Sequence, residues 1–197
     1  MSKVFPKFYD IAMKPLEVGR FKQIRKSLLQ KAKGRVIEIG SGTGVNFPLY
    51  RNVESVTAIE PSQYMIELSK SNKELASVPI EIVQASAETL PFGDHTYDTV
   101  VATLVFCTIP NVRKALHEIK RLCKPNGKIL LFEHVKMNNP ILAKLQDLLT
   151  PAWSKICDGC CLNRETVNVL QQEGFQITNI TSFYKGLFVV IEIENTK

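Results

Sequence analysis

Two short stretches hold residues whose types and spacing could do chemistry. The first is VIEIGSGTGVN, residues 36–46: an apolar run carries Glu38, then Gly40, Gly42 and Gly44 alternate with Ser41 and Thr43, and Asn46 follows. Glycines at alternate positions after a strand let the chain turn sharply and let a ligand approach the backbone. In an open parallel sheet such a loop lies at the carboxyl edge of its strand, where ligands bind. A dinucleotide fold wants G-x-G-x-x-G, with pyrophosphate at the helix N-terminus. Here the third glycine comes one residue early, and an acid precedes the loop. That arrangement is awkward for a diphosphate and suits a ligand with an ammonium group and no phosphate, such as S-adenosylmethionine. Glu60, in TAIEP, closes the next apolar run, and a carboxylate there can accept from both hydroxyls of a ribose. A plain strand-to-helix turn is the bland alternative.

The second stretch is KICDGCCLN, residues 155–163, with Cys157, Cys160 and Cys161 around Asp158 and Gly159. C-x-x-C-C with no second C-x-x-C and no nearby His is a poor tetrahedral zinc set, so no metal is expected. A redox pair normally sits at a helix N-terminus, whereas this one follows a helical stretch containing Trp153. The cysteines are therefore expected to be reduced and unmetallated, in a turn that either packs between two helices or caps an acceptor pocket.

The elements that must position these residues follow from periodicity. RVIEI (35–39), SVTAIE (55–60), IEIVQA (80–85), YDTVVATLVF (97–106) and GKILLFEH (127–134) read as buried strands. SQYMIELSKSNKELA (62–76) has helical spacing at Met65, Leu68 and Leu75 with Ser62 as cap; NVRKALHEIKRLC (111–123) is a second helix stopped by KPNG. Crossovers of helix length between strands predict an α/β, Rossmann-like, doubly wound sheet. Beyond residue 134, Pro151 is expected to break or kink a helix over 140–157, and Asn163 and Gly174 to bound another. FQITNITSFY and LFVVIEIE around KG predict an antiparallel C-terminal hairpin, which brings the count to seven strands, mostly parallel.

The whole chain of 197 residues reads as one domain: 1–33 an N-terminal lid and basic helix, 34–134 a cofactor-binding core, 135–174 substrate cap helices, 175–197 the hairpin. A composition of 45% hydrophobic and 22% charged residues is that of a globular chain. Five cysteines, an odd number, and an N-terminus without an apolar leader lead to the expectation of a cytoplasmic chain with reduced thiols. The net charge of +6 is uneven, with ten Lys or Arg in residues 1–35. Segment 16–33 puts Phe21, Ile24, Leu28 and Ala32 on one helical stripe among basic residues. It is either a surface helix packed on the core or a peripheral membrane contact. One basic helix is weak support for nucleic acid, and none is expected as a partner. The oligomeric state stays open.

EIGSGTG, IEPSQYMIELS, ASAETLPFGDHTYDTVV and RLCKPNGKILLFEH occur in the right order to resemble the class I S-adenosylmethionine-dependent methyltransferases, over roughly residues 9–195. Within that class the chain is similar to the ubiquinone/menaquinone-biosynthesis type. Through CTIPN and PAWSKICDGCCLNRET it is more closely similar to the methyltransferase-like proteins that methylate alkyl thiols. Bacterial phospholipid N-methyltransferases are similar in the core as well.

The resemblance implies S-adenosyl-L-methionine as cofactor. Gly40, Ser41, Gly42, Gly44 and Asn46 would form the loop under its methionine part, with Glu38 close to the amino group. Glu60 would hold the ribose beside Pro61, and Met65, Ser86 and Ala87 would face the adenine. Thr103 and Leu104 would line the cofactor, and Tyr9 would belong to a lid. Many relatives have Asp where this chain has Ser86, so that adenine contact is expected to be weaker, with Glu88 as a substitute or a cap.

The acceptor would be a small, fairly apolar molecule: a thiol, a quinol or phenol, or a lipid headgroup. His134 at the end of the fifth strand is the candidate base. Cys107, Trp153, Asp158 and Arg164 are the candidate acceptor-side residues. A non-catalytic cofactor-binding scaffold, a nicotinamide oxidoreductase and an RNA methyltransferase remain as alternatives.

Overall fold

The computed structural model describes residues 17–157 and 159–196. Tyr9 and Asp158 lie outside the described residues. Seven strands form one sheet: β1 (Arg35–Ile39), β2 (Ser55–Ile59), β3 (Ile80–Val83), β4 (Tyr97–Thr103), β5 (Cys123–His134), β6 (Gln176–Phe183) and β7 (Phe188–Glu194). Their order is β3-β2-β1-β4-β5-β7-β6. β1 to β5 run parallel, and β7 is antiparallel to both β5 and β6. The strand order reverses between β1 and β4, so the carboxyl ends of β1, β2, β4 and β5 open on one crevice.

The inner strands are apolar because both sheet faces are covered. One core cluster holds Ile37, Ile39, Val100, Ala102, Ile129 and Leu131; the opposite one holds Val36, Ala58, Val101, Leu130 and Phe132. Helix α1 (Lys22–Leu29) packs into the second cluster through Ile24, Leu28 and Leu29. The stripe Phe21, Ile24, Leu28 and Ala32 is thus buried, and the same segment turns Lys22, Lys26, Lys31 and Lys33 outward. Among the described residues no helix is long and apolar enough to cross a membrane.

Helix α2 (Gln63–Glu74) starts at Ser62, whose hydroxyl accepts from Met65 N, as its sequence predicts. Helix α3 (Val112–Leu122) is capped by Asn111 and buries Val112, Ala115, Leu116, Ile119 and Leu122, a helix-period stripe on the sheet.

Four local expectations are corrected. The crossover from β1 to β2 holds no full helix, only a one-turn 3-10 segment at Phe47–Leu49, with Pro48 inside it. KPNG does not separate helix from strand: β5 begins at Cys123, and the register jumps from Tyr97↔Cys123 to Thr99↔Lys128, with the segment between bulging out around Asn126 at φ 60°. Helix α4 (Pro140–Ile156) runs unbroken through Pro151; Thr150 Oγ1 donates to Gln146 O at 2.7 Å in the turn where proline removes a backbone donor. Asn163 caps nothing. Its amide donates to Asp147, and helix α5 (Thr166–Gln172) starts from Glu165.

Leu116 is fully buried between α3 and the sheet. Leu116→Ala is expected to lose about 2–5 kcal/mol in urea unfolding, while the exposed Lys114→Ala stays within about 0.5 kcal/mol.

Candidate active site

A cavity of about 820 Å³ occupies the crevice. Its first wall is the loop after β1. Gly40 has φ +66°, and a Cβ there would lie 2.1 Å from Val105 Cγ2, so this glycine lets two loops touch. Gly42, at φ +54°, would project a Cβ into open space, the side left for a ligand. Gly44 does not line the cavity; a side chain there would strike Phe47 and Ser69. Ser41 does line it, and its buried hydroxyl has no hydrogen-bond partner among the described residues, which leaves it available to a polar ligand group.

The second wall follows β2. Glu60 Oε2 accepts from Gly42 N at 2.9 Å and Oε1 from Ser62 N at 2.9 Å. A carboxylate has about four acceptor positions, so two remain for a ligand. Burial raises the Glu60 pKa, opposed by those two backbone donors. Pro61, Met65, Ser86 and Ala87 continue the wall. Leu68, on α2, also lines it and is 37% exposed; part of the apolar side of α2 is thus spent on the cavity. Ser86 Oγ accepts from Glu88 N, and Glu88 takes the backbone N–H of Asn111 rather than facing the cavity.

Thr103 and Leu104 close the floor at the end of β4. Leu104 sits at φ 55°, a strained region for a leucine, and its N–H donates to Phe132 O at 2.7 Å. Behind the floor lies a buried network. Asn46 Nδ2 donates to Glu38 Oε1 (2.8 Å) and to Thr103 Oγ1 (3.0 Å); Tyr50 OH donates to Glu38 Oε2 (2.9 Å). Arg25 Nη1 donates to Thr103 Oγ1 (2.5 Å) and Asn46 Oδ1 (3.2 Å). Glu38 and Asn46 therefore stand behind the cavity wall, not on it. Glu38 is fully buried and does not line the cavity; Asn46 and Thr103 connect it to the floor.

The remaining wall faces the cap. Cys107, His134, Trp153 and Cys160 line it, with apolar Val105, Ile109, Leu162 and Phe188. His134 Nε2 lies 3.4 Å from Cys160 Sγ, and its buried Nδ1 has no partner among the described residues. Cys107, Cys157 and Cys160 pack together, and no disulfide forms among the described residues. The hydrogen bond from Cys107 lowers the Cys160 pKa, aided by His134 and Trp153 against burial; the same bond and burial raise Cys107. Arg164 is not in the wall. Its guanidinium donates to Ile109 O at 3.0 Å and so holds the segment that carries Cys107. Cys161 N→Cys107 O at 2.9 Å fastens the cysteine turn to the same segment. His95 and His117 are on the surface.

Sequence reasoning missed three residues. Arg25, one of the basic residues of segment 16–33, is 4% exposed and lines the cavity. Its position beside Ile24 on the packed face of α1 was the available signal. Glu133 is fully buried and accepts from Val105 N and Phe106 N, which pins the turn leading to Cys107. A lone acid inside the apolar run LLFEH marks it. Gln146 ties α4 to the end of β5 through Val135 O and Met137 N, and to Leu162 O; nothing in the sequence singles it out.

A family model described as a methyltransferase domain matches residues 37–131. The human thiol S-methyltransferase TMT1A is 30% identical over 176 residues, which cover 87% of this chain and 72% of that protein. The chain belongs to the class I S-adenosylmethionine-dependent methyltransferases. S-adenosylmethionine is the cofactor of this family and of this chain. The human thiol S-methyltransferase TMT1B is 34% identical over 159 residues, 79% of this chain and 65% of its own length. The chain thus spans about 65% of that relative. A solved methyltransferase structure from Aquifex aeolicus superposes with TM-score 0.69 at 18% identity, covering 98% of each chain, and shows the shared fold. The cavity fits the cofactor: a Ser41 hydroxyl without a partner among the described residues, open space at Gly42 and spare acceptor capacity on Glu60 lie on its two adjoining walls.

Burial lifts the Glu38 pKa from 4.5 to about 7, against the hydrogen bonds from Asn46 and Tyr50 and the charge of Arg25. The native state then holds the proton more tightly than the unfolded chain. This stability is full below about pH 4.5 and is lost as pH rises through about 7. Glu38→Gln is expected to flatten the fall in unfolding free energy across that window, by up to roughly 3 kcal/mol, in urea titrations at a series of pH values.

Proposed function

We propose that the protein transfers the methyl group of S-adenosylmethionine to the sulfur of a small, apolar thiol. One observation carries the reading: among the described residues lining the cavity the sole carboxylate is Glu60, on the cofactor side, while the cap side is mostly apolar, with Cys107, Thr108, His134 and Cys160 as its polar or soft groups. A site for an amine or a cationic headgroup would need an acid there to hold the charge. An apolar thiol needs only contact area and somewhere for its proton to go. The similarity to the two human thiol methyltransferases points the same way.

In this reading the loop at Gly40, Ser41 and Gly42 receives the methionine part, Glu60 the ribose, and Met65, Ser86 and Ala87 the adenine. The bound cofactor supplies an already activated sulfonium methyl group. What the protein adds is placement, which can contribute on the order of 7–11 kcal/mol in well-oriented reactions. Thr103 and Leu104 form the floor on which the two ligands would meet, with Thr103 held by hydrogen bonds from Arg25 and Asn46. Trp153, Ile109 and Phe188 offer apolar contact on the acceptor side. His134 is the group within the wall able to take a thiol proton, and a thiol with a pKa near 8.5 asks little of it. Arg164 acts at one remove, through the carbonyls of Cys107 and Ile109.

The test is turnover of methyl-labelled cofactor against a panel of alkyl thiols, a quinol and phosphatidylethanolamine vesicles. Alkyl thiols are expected to be methylated fastest, and Glu60→Ala to lower cofactor affinity at least about tenfold. Labelling confined to the quinol or the lipid, or none at all with cofactor bound, would refute the thiol reading.

A further inference from the structure

The cap-side wall gathers three soft ligand groups that the cofactor does not use. Cys107 lies in the turn after β4, His134 ends β5, and Cys160 follows the turn after α4. Their ligand atoms all lie within 4.8 Å of one another, and all three residues line the cavity. We propose that Cys107, His134 and Cys160 form a three-ligand site for a thiophilic divalent cation of the zinc type, with its fourth position open to the cavity.

The dimensions suit such an ion. With Zn–S near 2.3 Å and Zn–N near 2.0–2.1 Å, tetrahedral coordination puts a sulfur about 3.6 Å from the nitrogen and two sulfurs about 3.8 Å apart. His134 Nε2 and Cys160 Sγ are 3.4 Å apart, and the second sulfur lies inside the 4.8 Å limit. Two thiolates and one imidazole with a vacant position is a known catalytic zinc set. The donor types match thiophilic metals rather than magnesium or calcium.

The protein also holds the ligands where they are. Glu133 accepts from Val105 N and Phe106 N, Cys161 N donates to Cys107 O, and Arg164 braces Ile109 O. These bonds bring the Cys107 and Cys160 segments together without a metal. The sequence hides the set because its members lie at 107, 134 and 160. C-x-x-C-C suggests local ligation, whereas only Cys160 of that trio enters the cluster.

An open position on the cavity side has a direct use. A thiol that enters binds such an ion through sulfur and is deprotonated by it, the proton leaving to solvent; with the ion bound, His134 serves as its ligand in place of acting as the base. This part rests on the proposed thiol acceptor; the metal site itself does not.

The experiment titrates reduced, chelator-treated full-length protein with Co²⁺ and follows thiolate-to-cobalt charge transfer and the visible bands of four-coordinate cobalt. One equivalent is expected to bind, to be displaced by Zn²⁺, and to change its spectrum when a small alkyl thiol is added. Cys160→Ser, Cys107→Ser and His134→Ala should each weaken binding at least about tenfold; Cys161→Ser should not. Circular dichroism melts confirm that each variant is folded, and the His134 and Cys160 variants decide the matter should Cys107→Ser fail. No charge-transfer band, or binding within threefold of wild type in the folded His134 and Cys160 variants, overturns the metal site; a spectrum indifferent to added thiol overturns the binding of the acceptor at its open position. The readout is cobalt absorbance and not turnover, so this failure and failure of methyl transfer are told apart.

Discussion

The buried carboxylate of Glu38 is the constraint on which the crevice depends. A carboxyl group taken from water must be given hydrogen bonds or lose several kcal/mol. Here Asn46 and Tyr50 supply them. Asn46 then passes the constraint to Thr103, and Arg25 closes the circuit from helix α1. Three segments far apart in sequence are thereby locked: the N-terminal helix, the glycine loop and the end of β4. Sheet packing alone would bring the carboxyl ends of the strands to one edge. The polar network sets how the loop and the floor stand to each other at that edge.

The cavity divides by chemistry along this floor. On the β1–β2 side the wall is rich in backbone and in spare acceptors: the glycines, the Ser41 hydroxyl and Glu60. On the β4–β5 side it is side chains, apolar or soft, fixed by Glu133, Arg164 and Gln146 to neighbouring backbone. In the proposed reading a polar, extended cofactor takes the first half and a small apolar acceptor the second. The partly exposed apolar side of α2 fits the same division, since Met65 and Leu68 finish the cavity instead of the core.

Much of this was legible in residue order. Seven strands, their mostly parallel course and the terminal hairpin follow from apolar runs and turn residues. Gly40, Gly42, Glu60, Met65, Ser86, Ala87, Thr103 and Leu104 all line the cavity that their motifs implied. What escaped has a common cause. Pro151 lies within α4, with a threonine hydroxyl bonded back to a carbonyl in the turn before it, a compensation that a one-residue rule does not see. Arg25 and Glu133 are charged residues in buried positions, where type argues for the surface and only tertiary partners argue otherwise. Glu38 was read as facing a ligand because its neighbours in sequence do; alternation along a strand does not say which partner has already claimed the carboxylate. The cluster of Cys107, His134 and Cys160 needs three elements brought together, and no local spacing encodes it.

The account stands most directly on where the cofactor lies. A crystal structure with S-adenosylhomocysteine would show it. The expected result has both ribose hydroxyls within hydrogen-bond distance of Glu60, the amino acid part over Ser41 and Gly42, and the sulfur turned toward Thr103 and the Cys107–His134–Cys160 wall. A ligand bound without contact to Glu60, or with its sulfur turned away from that wall, would contradict it.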